Sequence, residues 1–155
     1  MKLLKVAVIA AIVVSGSAMA GSVPQWNDGG YGGGGHHGGG NNNISPETLT
    51  VYQYGGRNNV DALQSDARGS EITVTQHGFG NDADLSQGAD DSVIDLSQKG
   101  HGNEATISQW SGKNLNADVK QQGGRNEVDL RQTMNGATAN ITQVGFGNTV
   151  TAGQY

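Results

Sequence analysis

The chain contains no cysteine. An exported domain of this size commonly relies on disulfides, so the order in this one must come from noncovalent packing. Aromatic residues make up only 5% of the sequence and apolar residues 34%, thin material for a conventional globular core. Basic residues are scarce as well, nine Lys and Arg against fourteen Asp and Glu, with a net charge of −5 and no basic cluster. That balance argues against nucleic acid as a partner. Long apolar runs are also missing. The one candidate, Leu3 to Val14, is interrupted by Lys5 and is too short to cross a bilayer. No membrane insertion is therefore expected.

That short run reads instead as the centre of a secretory signal. Lys2 and Lys5 supply the basic start, and Ala18-Met19-Ala20 supplies small residues where a signal peptidase cuts. Residues 1–20 are the expected signal peptide, leaving Gly21 as the new N-terminus. Loss of its two lysines takes the nine basic residues to seven and the net charge from −5 to −7.

Glycine is what the chain has in excess, 26 of 155 residues, where about 7% is usual. Much of it lies in residues 21–45, around the stretch "GGYGGGGHHGGGNNN". Such a segment buries almost nothing and is expected to be a flexible arm, placed to serve as a handle for export. His36-His37 within it are a poor metal site without further ligands, and Trp26 is undiagnostic. No metal or other cofactor is expected.

From residue 46 to 155 a repeat governs the sequence. Gln stands at Gln53, Gln76, Gln98, Gln121 and Gln143, and again eleven residues later at Gln64, Gln87, Gln109, Gln132 and Gln154. Asn stands at Asn58, Asn81, Asn103, Asn126 and Asn148, and Gly at 55, 78, 100, 123 and 145. Every series steps by 23, 22, 23 and 22 residues. Five units follow, at about 47–64, 70–87, 92–109, 115–132 and 137–154. A period of this length marks a solenoid or an array.

Within each unit the side chains alternate with period two, as they do along a strand. In the second unit Ser70, Ile72, Val74 and Gln76 share one face, and Glu71, Thr73 and Thr75 the other. After His77-Gly78-Phe79-Gly80, a second inward set follows in Asn81, Ala83, Leu85 and Gln87. The parity holds in the other four units. Each unit is thus a strand–turn–strand hook with a narrow apolar seam, which one hook alone cannot bury. Stacked hooks can bury it, giving an all-β solenoid of five repeats with two parallel sheets. Eleven residues per half-turn suggest a strand of about six or seven and a turn of about four or five.

Stacking also rationalises the inward amides. Residues one period apart lie about 4.8 Å above one another, so each Gln or Asn meets its own kind and the amides can pair along the axis. Left unpaired, a buried amide costs on the order of 1–3 kcal/mol. The fifteen Gln and Asn named above are therefore the candidate polymerisation ladders. No polar cap is visible at either end of the repeats, although capped solenoids carry one. The fifth unit, from Ala137, holds no charged residue, while the second to fourth carry charges that oppose premature pairing. The expected function is end-to-end polymerisation, with the fifth unit the stickier end and the first next.

The pattern Ser-x5-Gln-x-Gly-x-Gly-Asn-x-Ala-x3-Gln resembles the repeat of curlins, the subunits of bacterial curli fibres. Residues 70–87 and 92–109 match it throughout. Departures lie elsewhere: the opening Ser is Glu47, Leu115 and Ala137, the second Gly is Arg57 and Arg125, and the Ala is Val60, Val128 and Val150. These put local packing in question more than the fold. The resemblance implies export through the periplasm and an outer-membrane secretion channel with its accessory proteins, then assembly on a minor nucleating curlin into extracellular amyloid. It further implies roles in adhesion, cell aggregation and biofilm matrix, and binding of host matrix proteins such as fibronectin. The glycine-rich arm resembles the segment that family uses for recognition by its secretion apparatus.

Other classes fit less well. A calcium-binding β-roll needs nine-residue repeats with carboxylates in the turns. An ice-binding solenoid wants an unbroken outer threonine array, and here Asp95, Ser97, Asp118 and Lys120 interrupt it. Catalysis needs convergent groups in a pocket, whereas His77, His101 and Asp90-Asp91 are expected on exposed turns. Trp110, just after a strand, adds nothing. The remaining alternative is a capped monomeric solenoid that binds a ligand or an ice surface.

Overall fold

A computed structural model describes residues 47–65 and 67–155. The expected signal peptide and glycine-rich arm, with His36-His37 and Trp26, lie outside the described residues. Ten strands carry the alternating pattern: β1 (Thr48–Gly56), β2 (Asn59–Gln64), β3 (Glu71–Phe79), β4 (Asp82–Asp90), β5 (Val93–His101), β6 (Glu104–Lys113), β7 (Asn116–Gly124), β8 (Glu127–Gln132), β9 (Thr138–Phe146) and β10 (Thr149–Gln154). Among the described residues there is no helix.

The strands form two five-stranded parallel sheets, in the orders β1-β3-β5-β7-β9 and β2-β4-β6-β8-β10. Each hook contributes one strand to each sheet, so the molecule is a β-solenoid of five rungs. The register is that of the repeat: Gln53 pairs with Gln76, Gln76 with Gln98, Gln98 with Gln121 and Gln121 with Gln143. Between the sheets lies one seam. Ile72, Val74, Ala83 and Leu85 fill it in rung two, Ile94, Leu96, Ala105 and Ile107 in rung three, and Ala117, Val119, Val128 and Leu130 in rung four, all buried. In the outer rungs Leu49, Val51, Ala139, Ile141, Val150 and Ala152 are only partly buried against it. Among the described residues each has a rung on one side only, although Val60 and Ala62 of rung one are still buried.

One feature differs from expectation, and a second is left open by the sequence. The corner between the strands of a hook is two residues, Gly80-Asn81 in rung two, and not four or five. Backbone pairing continues into the bend, where Gly80 N donates to Gly56 O at 2.9 Å and Gly102 N to Phe79 O at 3.0 Å. Parallel pairing thus persists to the last residue, and the strands lengthen at the turn's expense. The second concerns the local packing at Arg57 and Arg125, where units one and four lack the second glycine. Both adopt the left-handed conformation, with φ of 56° and 55°, beside 65° and 63° at Gly80 and Gly102. The corner is kept at a cost of about 1–2 kcal/mol per arginine.

The opening-serine departures are also absorbed. Ser70 Oγ donates to Ala89 O at 2.6 Å and accepts from Ser92 N at 3.1 Å. Where the serine is replaced, Leu115 and Ala137 join Ala89 in a second, smaller apolar cluster. A short polar column therefore gives way to an apolar one without loss of register.

Candidate functional site

The inward amides form three continuous ladders. Along the first sheet Gln53 Nε2 donates to Gln76 Oε1 at 2.7 Å, Gln76 to Gln98 at 2.8 Å, Gln98 to Gln121 at 2.9 Å and Gln121 to Gln143 at 3.0 Å. Along the second, Gln64, Gln87, Gln109, Gln132 and Gln154 repeat the motif at 2.7–3.0 Å. At the corner each Asn Nδ2 donates to the Asn one rung lower, from Asn81 to Asn58, Asn103 to Asn81, Asn126 to Asn103 and Asn148 to Asn126. Among the described residues no buried side-chain nitrogen or oxygen lacks a partner.

These amides have a fixed direction. Gln76, Gln98, Gln121 and Gln143 each also donate Nε2 across the seam to a carbonyl, at Asn59, Asp82, Glu104 and Glu127. Each Asn Oδ1 from Asn58 to Asn126 also accepts the backbone N–H of the next Asn, at 3.1–3.2 Å. Reversing an amide would break those backbone bonds. The Gln ladders therefore donate toward rung five and the Asn ladder toward rung one.

The consequence appears at the ends. Among the described residues Gln53 Oε1 and Gln64 Oε1 accept nothing at rung one. At rung five Gln143 Nε2 turns to Asn148 O at 3.0 Å, and Asn148 Oδ1 accepts nothing. Among the described residues the outer edges of β1, β2, β9 and β10 likewise have no strand beside them. One end thus offers Gln acceptors; at the other Gln154 Nε2 has an N–H to spare and Gln143 Nε2 would exchange Asn148 O for a Gln above it, while the Asn ladder runs oppositely.

The glycine column gives the same account. A methyl on Gly55, Gly78, Gly100 or Gly123 would strike the carbonyl of the corresponding glycine one rung higher. On Gly145 it would meet only Asn148 Nδ2, at 3.5 Å. Among the described residues the space above Gly145 is open where the four below it are filled.

Charge is confined to the outer faces. Asp82, Glu104 and Glu127 occupy one column of adjacent strands, and Asp95 and Asp118 another. Like charges so placed repel. Lys120 lies 2.7 Å from Asp118, and this hydrogen-bonded carboxylate raises the lysine above its ordinary pKa. Rung five has no such group.

The residues considered for catalysis are spread apart. His77 stacks on Tyr54, ring centres 5.0 Å apart. Asp90 lies at the opposite corner, 3.6 Å from Lys113 Nζ, and accepts from Arg68 N. Asp91 is exposed in a left-handed turn. The Trp110 ring fills the space where a Cβ on Gly88 would stand, a contact that the repeat did not signal.

A family model described as the curlin associated repeat matches residues 40–78, 67–100 and 89–123, just over half of the chain. The chain belongs to the curlin repeat family. Curlin repeats thus account for the 22- and 23-residue steps seen in the strand register. Among curated proteins, the major curlin subunit of Salmonella typhimurium is 68% identical over 91 residues, 58% of this chain and 57% of that protein. That of Salmonella typhi matches equally, and that of Escherichia coli K12 is 61% identical over 92 residues. The aligned part spans less than three-fifths of these curlins. The curlin repeat family is a non-enzymatic one, so the catalytic class falls away.

Proposed function

We propose that this curlin is a structural subunit that polymerises end to end outside the cell into curli amyloid fibres serving adhesion, cell aggregation and biofilm matrix. The observation that carries the reading is the complementarity of the two bare rungs. Placed on rung five, a second copy's rung one would offer Gln53 and Gln64 Oε1 to Gln143 and Gln154 Nε2. Asn148 Oδ1 would accept from that copy's Asn58, and its Gly55 carbonyl would fill the space above Gly145. The Gln, Asn and glycine columns would then run on unbroken. Two rung-five ends brought together would instead set donor against donor. The kinship to major curlin subunits supports the same reading. It also supports export through an outer-membrane channel, growth from a minor nucleating curlin and contact with host matrix proteins such as fibronectin.

Incubated at neutral pH, the purified mature chain is expected to show a lag and then a rise in thioflavin fluorescence. Its fibres should give a meridional reflection at about 4.7–4.8 Å. A persistently monomeric, protease-resistant rod would overturn the proposal in favour of a capped, ligand-binding solenoid. A second expectation concerns the growing end. Replacing Gln143 or Asn148 by Ala should slow assembly by roughly tenfold, because a buried amide partner is lost at each junction. Replacing outward-facing Thr142 by Ala should change it less than about twofold. Equal effects would count against the ladders as the joining element.

A further inference from the structure

The outer side of the first corner carries a column whose occupants differ sharply in size. In successive rungs it holds Gly56, Phe79, His101, Gly124 and Phe146. Beside it stand Arg57, Gly80, Gly102, Arg125 and Gly147. At rung four, the space left by Gly124 is taken from both sides. A methyl built there would lie 2.8 Å from His101 Nε2 below and 2.9 Å from the Phe146 ring above. The two rings meet across the glycine with centres 5.6 Å apart at 52°. Arg125 of the same rung lays its stem over Gly102, its Cγ 3.8 Å from where a Cβ would stand.

Rung one has the same corner, Gly55-Gly56-Arg57-Asn58 against Gly123-Gly124-Arg125-Asn126, with the same left-handed arginine. From above, Phe79 closes to 3.2 Å from a methyl on Gly56, and the Arg57 guanidinium lies 5.2 Å from the centre of that ring. Half of the rung-four arrangement is therefore present. Below Gly56, among the described residues, there is nothing. The missing half stands at the far end of the molecule. Phe146 is 71% exposed, and Gly147 has nothing within 4 Å of the Cβ position.

We infer that a second copy of this chain docks rung one on rung five with Gly56 over Phe146, so that its Phe79 meets Phe146 across the glycine and its Arg57 packs over Gly147. The contact reproduces between copies what His101, Gly124, Phe146, Arg125 and Gly102 make within each one. It rests on the polymerising role proposed above and adds a second determinant of register, outside the seam and independent of the amides. It also selects the partner end, because only rung one brings a gap and an arginine to Phe146.

The test is a double-mutant cycle on fibres of the full mature chain, using Phe79→Ala, Phe146→Ala and the pair. Within one copy the two rings are three rungs apart, about 14 Å, beyond the range at which substitutions couple. Across the junction they touch. The protein left soluble at equilibrium is expected to rise about fivefold for each single variant. The double variant should fall short of the product of the singles by about threefold. A double variant at or above the product overturns the inference while the polymerising role stands. If the unsubstituted chain forms no fibre, that role fails first and the junction with it. Both rings are at least half exposed in the monomer, so neither variant depends on the seam to fold.

Discussion

Gly100→Ala is expected to separate rung three from rung four. Gly100 has φ of 126°, a conformation that a residue with a Cβ holds at a cost of about 1–3 kcal/mol. Its methyl group would also be driven into the Gly123 carbonyl of the next rung. That carbonyl accepts from Asn103 Nδ2, so it cannot move away without opening the Asn ladder. Strain and lost bonds together should exceed about 3 kcal/mol. The readouts are a lower denaturation midpoint and a large loss of sedimentable fibre from the full mature chain. Gly80→Asn is the matched control. Gly80 also has a positive φ, 65°, but nothing lies within 4 Å of its Cβ position, and Arg57 and Arg125 already occupy the equivalent place. It should cost about 1 kcal/mol or less. If the two variants behave alike, close approach between rungs is not what reserves this column for glycine.

Asn103→Ala should be nearly as damaging, for a different reason. This one buried side chain donates to Asn81 Oδ1, Lys99 O and Gly123 O, and accepts from both the backbone and the side chain of Asn126. Truncation leaves the Asn126 N–H without its acceptor between two rungs, where water does not reach. A loss of about 3 kcal/mol is expected, read as a shift in the urea midpoint of the fibres. The informative comparison is Asn148→Ala. Asn148 is exposed at the end rung, so its removal should scarcely alter a monomer yet weaken a fibre about as much as Asn103→Ala. Equal, small effects of Asn148→Ala on both would mean that no second rung ever covers it.

Why these two residue types dominate follows from the architecture. A seam only four apolar side chains wide per rung, such as Ile72, Val74, Ala83 and Leu85, gives little apolar area to fix one rung on the next. Apolar contacts tolerate small slips; a directional amide bond does not. The ladders therefore set register, and the glycines let the rungs approach closely enough to form them.

The order of residues was sufficient for the period, for which side chains face inward, and for the three amide columns, because strand parity and a constant repeat place them without reference to anything distant. The arginines at 57 and 125 show the limit of such reading: only the backbone shows that they take the glycine's conformation. Corner length, the direction in which each amide donates, the apolar cluster of Ala89, Leu115 and Ala137, and the filling of the Gly124 gap by two rings were decided by the tertiary structure. The reason is physical. Each of these depends on what stands at the same height one or two rungs away, and on backbone carbonyls across the seam, which are neighbours only once the coil has closed.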